Sequence, residues 1–253
     1  MATKFTFHMK PSRADEHLEA LNNEVAAFLE TRPYEVVIKK DIPAGKLSTQ
    51  VIYRHAPPDL LLMLIGDVLH NLRSALDHLA WSLAGTEADR STEFSIFVDE
   101  IKYRSGATRK MHDMPTTAQN IIESLQPYKG VHGLPESEPL WLLQQLSNED
   151  KHHTLNLVAA QVDVQLHVST GSHPAYGLTG RTGCLTREDG EEISRIPLPA
   201  DPSQVQDYSH YTFDVALDPK GPGRGIPITL HEGLSNIRDA VAGAIRLLEP
   251  SVP

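Results

Sequence analysis

Apolar residues recur along this chain with two different periods, and the switch between them divides it. Residues 12 to 31 put Leu18, Leu21, Val25, Ala26, Phe28 and Leu29 on one side of an amphipathic helix that Pro33 ends. Upstream, Phe5 and Phe7 alternate with polar neighbours and read as a short strand. Two β segments follow, Tyr34 to Lys40 and Leu47 to Arg54. Turn chemistry from Asp41 to Gly45 joins them, which predicts a hairpin over about 34–54. A long helix is expected over 58–84. Residues 86 to 113 read as irregular and polar, with an apolar patch at Phe94 to Val98. Helices are then expected over 116–125 and 139–153, with a Gly/Pro-rich loop from Gly130 to Pro135 between them.

From about residue 154 the period becomes two. Val162, Val164, Leu166 and Val168 alternate with polar residues, as in a half-exposed strand. Further β signal falls near 183–187, 193–198, 211–217 and 225–230, and residues 232 to 249 close the chain with a helix. The expectation is therefore an α+β protein. A mainly helical part with a hairpin covers 1–153. A β-rich part with a closing helix covers 154–253, and the two can pack as one domain.

The helix over 58–84 carries the chemistry. At about 100° per residue, Leu61, Leu62, Ile65, Val68, Leu69, Leu72, Leu76, Leu79 and Leu83 fill one arc roughly 120° wide. The opposite arc holds Asp67, His70, Asn71, Ser74, Asp77, His78 and Trp81, spaced three and four apart. A solvated face is usually built from Glu, Lys, Gln and Arg. Asp, His, Asn and Ser cost ~0.5 kcal/mol per residue against Ala. A buried polar network or a functional site would offset that cost, so these groups are expected to converge on an enclosed or cleft-like space. The helix over 139–153 supplies partners: Asn148, Lys151 and His152 lie off its leucine side.

Bulk properties narrow the picture. The chain has 253 residues, enough for a real core without disulfides, and Cys184 is its single cysteine. A reducing compartment is expected, and with no signal-like or membrane-length apolar run in the sequence, a cytoplasmic location without membrane contact. The net charge of −10 argues against a general nucleic-acid coating role. It leaves room for a local basic site, and Lys102, Arg104, Arg109 and Lys110 surround Ser105 and Gly106 in what reads as a solvated loop or, more sharply, a phosphate-contacting one. No nucleophile elbow, phosphate-binding glycine loop or Cys-x-x-Cys pair is present.

Arg73 and His78 stand in the pattern R-x4-H. The pattern resembles the motif of the HEPN superfamily of helical ribonucleases. In a longer reading, GDVLHNLRSALDHLAW followed by QPY and DKHH resembles an uncharacterised bacterial protein family. The HEPN resemblance implies a four-helix-type core and metal-independent cleavage of RNA. It implies that His78 moves protons during attack of a 2′-hydroxyl, that Arg73 stabilises charge on the phosphate, and that the pair works across a homodimer. The types suit the task, because His titrates near neutrality and Arg forks onto phosphate. Asp77, Asn71 and His70 would support catalysis. Lys151, His152, Asn148, Ser74 and Trp81 would contact substrate.

Two other readings use the same residues. Asp67, His70, His78 and His152, with Asp77 or Asp150, form a mixed nitrogen and oxygen set for a divalent transition metal drawn from two helices. Alternatively, the polar arc only specifies helix pairing, and the chain is a non-catalytic binding module.

Overall fold

The computed structural model describes residues 6–130, 134–152, 155, 157–170, 173–180, 184–186, 189–197, 205–207, 210–217 and 228–253. Helix α1 runs from Thr6–Glu30 and buries Phe7, Ala14, Leu18, Leu21 and Phe28. Phe7 is therefore helical, not part of a strand. It lies two turns before Ala14 and so shares its face. Pro11 lacks an N–H and removes one rung near the start of α1. Phe5 lies outside the described residues. At the other end, Arg32 takes a positive φ of 52° and donates to the Leu29 carbonyl (3.0 Å). Pro33 disfavours right-handed helix at the residue before it, so the chain turns there.

The hairpin is β1 (Tyr34–Asp41) and β2 (Lys46–Tyr53), paired from Tyr34↔Tyr53 to Asp41↔Lys46. Gly45 supplies the positive φ the turn requires, and the Asp41 Oδ1 accepts from the Ala44 amide (3.0 Å). Helix α2 (Asp59–Ala84) follows, with Leu61, Ile65, Val68, Leu69, Leu72, Leu76, Leu79 and Leu83 buried. At about 1.5–3 kcal/mol per buried side chain, this seam outweighs the weak propensities opposite it. Gly85 ends α2 with a positive φ and an amide bond to the Trp81 carbonyl.

Residues expected to be irregular contain helix α3 (Glu100–Met111). Asp99 caps it by accepting from the Lys102 amide (2.8 Å), and Tyr103, Ala107 and Met111 bury one face at spacings of four. The basic cluster is thus helical rather than a phosphate-cradling loop. Arg104 pairs with Glu100 and Glu123, and Lys110 pairs with Glu93. Short helix α4 (Thr116–Ser124) and helix α5 (Pro139–His152) complete this half. Residues 131–133 of the Gly/Pro-rich loop lie outside the described residues.

The β-rich half centres on β3 (Leu157–Thr170), which is longer than its alternation suggested. It pairs antiparallel with β4 (His173–Gly180), β5 (Cys184–Thr186), β7 (Val205–Asp207) and β8 (His210–Leu217). Cys184 opens β5 opposite Gln161. β9 (Ile228–Thr229) extends the order β4-β3-β8-β9. β6 (Glu191–Pro197) instead joins the hairpin as a third strand on β2, with a register shift at Thr49/Gln50. Helix α6 (Leu230–Leu248) returns to pack on α1, α2 and α5. Its Leu234, Ile237, Val241 and Ile245 share one core with the α2 seam and with Val215 and Leu217 of β8. The architecture is α+β, and both halves of the chain build its core. Among the described residues, no helix is long and apolar enough to cross a membrane.

Candidate functional site

Helix α2 turns its polar arc outward between α1 and the end of α5. α1 borders it through His17, whose Nδ1 lies 3.9 Å from the Asp67 Oδ2. α5 borders it at Gly66, where a Cβ would come within 3.0 Å of the Asp150 carboxylate. The missing side chain lets the last turn of α5 press onto α2.

The arc does not close over a common cavity, which corrects the expected convergence. Asp67 and His70 are exposed, Trp81 is 47% exposed, and Ser74, Asp77 and His78 are half-buried. Asn71 is buried and folds back on its own helix, its Nδ2 donating to the Asp67 carbonyl (2.8 Å). An open groove of about 640 Å³ runs beside it, lined by Met9, Lys10, Arg13 and Glu16 of α1 among others. The arc fails to enclose a site because α1 and α5 border its two edges and, among the described residues, no element covers its middle.

The same helical geometry separates the R-x4-H pair. Five residues turn about 500°, so Arg73 and His78 lie about 140° apart around α2. Arg73 faces inward and is nine-tenths buried. Its Nη2 donates to the Asp77 Oδ1 (2.8 Å) and to the Phe94 carbonyl (2.7 Å). The Phe94 amide donates to the same Asp77 oxygen (3.2 Å). Burial pushes the Asp77 carboxyl above the ordinary carboxylate range, against the opposing pull of Arg73, the Phe94 amide and Lys151. His78 lies on the other flank, half-buried. Arg73 Nη1 and His78 Nδ1 are both buried and have no hydrogen-bond partner.

From α5, Lys151 is exposed yet near enough to Asp77 to act on its charge. Asn148 is exposed and accepts from the Gln144 Nε2 (3.1 Å), and His152 is exposed at the helix end. The residues offered as metal ligands, Asp67, His70, His78 and His152, do not gather. Among the described residues, no three His, Cys, Asp or Glu side chains are grouped so as to hold a metal ion.

Sequence reasoning missed Phe94 and Gln126. Gln126 is 2% exposed; its Oε1 accepts from the Phe97 amide (2.9 Å) and its Nε2 donates to the Ser95 carbonyl (2.8 Å). The available signal was the short apolar patch at Phe94 to Val98, which predicts burial without saying what binds it. Comparison with known protein families, curated proteins and solved structures finds no match for the chain.

Proposed function

We propose that this chain is a metal-independent RNA-cleaving or RNA-processing protein that works from α2, with His78 moving protons and Arg73 countering phosphate charge. One observation carries the reading. Arg73 and His78 are the α2 residues that keep a buried nitrogen without a partner. Such a group calls for a reason, and a catalytic role is one of the recognised ones. Asp77 positions the Arg73 guanidinium. Lys151, His152, Asn148, Ser74 and Trp81 are the nearby groups suited to RNA contact.

The deciding experiment is cleavage of single-stranded RNA in excess chelator, comparing wild type with His78→Ala. Activity that survives chelation and falls about 100-fold or more in the variant, as expected for a lost general acid–base, supports the reading. No cleavage by wild type, or equal cleavage by both, ends it.

A second reading, a binding module, draws on a separate observation. Leu60 (45%), Met63 (66%) and Trp81 (47%) are exposed along the same face of α2, and Met9 of α1 is 67% exposed. The occupant proposed for this face is a second copy of the chain, by charge complementarity. Lys10 and Arg13 stand on α1, where Arg13 pairs with Glu16, and Asp59 and Asp67 stand on α2. A two-fold would set α1 of one copy against α2 of the other. Light scattering on wild type and on Met63→Asp/Trp81→Asp should give a dimer and a monomer. A wild-type monomer at high micromolar concentration removes this reading.

A further inference from the structure

The segment Thr92 to Phe97 has no regular secondary structure and meets α2 through Phe94. Side chains take the place of a neighbouring strand. Arg73 holds the Phe94 carbonyl, Asp77 holds the Phe94 amide, and Gln126 holds the Phe97 amide and the Ser95 carbonyl. Both ends are anchored separately. Asp89 turns the chain through the Ser91 amide (2.7 Å) and Asp99 caps α3. The segment is a strap fixed at its ends and clipped in its middle.

The clip on Arg73 is incomplete. One nitrogen, Nη2, serves both the carboxylate and the carbonyl, while Nη1 is buried without a partner. A guanidinium is a planar fork suited to two oxygens of one oxyanion. A neutral carbonyl and half of a carboxylate do not fill it. Phe94 is fully buried, and its carbonyl and amide meet the Arg73–Asp77 pair.

We propose that the Thr92–Phe97 strap is an autoinhibitory clamp over a latent oxyanion site at Arg73, opened when a phosphate group replaces the Phe94 carbonyl on the guanidinium. This rests on the reading of Arg73 as a phosphate-binding residue. It adds that the described arrangement is the closed state, and that Gln126, which touches neither Arg73 nor Asp77 in the bonds above, sets how often it opens.

Amide hydrogen exchange over residues 92–97 tests the clamp, using inorganic phosphate as the probe and chloride at equal ionic strength as the control. Phosphate should speed exchange in the strap about fivefold or more while the α2 core stays protected. Gln126→Ala should open the strap without phosphate and tighten phosphate binding about tenfold, since a rarely populated competent state weakens apparent affinity by its population. Arg73→Met should abolish the phosphate response. If Gln126→Ala does not fold, Asp77→Asn serves, because it keeps an acceptor for the Phe94 amide while releasing the charge on Arg73. Strap exchange indifferent to phosphate in wild type and in whichever variant folds overturns the clamp. His78-dependent RNA cleavage alongside that indifference would leave the ribonuclease reading standing. A phosphate-responsive strap in a protein that never cleaves RNA would do the reverse.

Discussion

Asp214 lies on β8 with its Oδ1 accepting from the Val215 amide (2.7 Å). Burial raises its pKa, and the Val215 amide and, less, His231 at the start of α6 only partly oppose this. The folded state therefore favours the protonated acid. The stability this group contributes is fully present below the ordinary aspartate pKa, and it is lost as pH rises through the higher folded value. Asp214→Asn keeps an acceptor and removes the charge. It should melt higher than wild type at pH 7, and the difference should shrink as pH falls toward 4. Melting curves at several pH values check this; a variant less stable at neutral pH contradicts it. Asp77 is raised for the same primary reason, but its charge also holds Arg73, so its substitution mixes two effects.

Elements meet where small residues let them. Gly66 costs α2 about 1 kcal/mol of helix propensity against Ala, and it sits under Asp150 of α5. A leucine there would wedge the two helices apart. Gly66→Leu should cost about 1–3 kcal/mol, the usual range for overpacking. Urea unfolding followed by circular dichroism gives the number, and an unchanged midpoint would mean that α5 is not pressed on α2. Capping explains why α3 forms although its apolar content is low. Asp99 and Glu100 suit its first turn and Arg109 and Lys110 suit its last, so both ends match the helix dipole. Those signals were present in the sequence, but Gly106 and the sparse apolar positions obscured them.

At the scale of the molecule, α6 joins the two halves of the chain. Leu230, Leu234, Ile237, Val241, Ala244, Ile245 and Leu248 are buried, against α1, α2 and α5 among others. At about 1.5–3 kcal/mol for each large apolar side chain, their burial rivals the ~5–15 kcal/mol net stability of a whole domain. Deleting residues 230–253 should therefore abolish cooperative unfolding. Scanning calorimetry of the truncated chain would show no transition, and a sharp one would show that the remainder folds without α6. The three-stranded sheet makes a similar bridge, because β6 from the second half pairs with β2 from the first.

Periodicity determined the parts of this protein that depend on neighbours in the chain. The α2 seam, the hairpin, the closing helix and the α+β class follow from spacings of three, four and two and from turn residues, because local geometry alone sets which residues share a face. The polar arc of α2 was legible in the same way, residue by residue. Its surroundings were not. Tertiary packing decided that Arg73 and Asp77 hold the backbone of Phe94. It also decided that β6 crosses to the hairpin and that Gln126 clips a strap thirty residues upstream. Each of these joins groups far apart in sequence, and their pairing energy is realised only once the core has brought them together, so no local pattern records it.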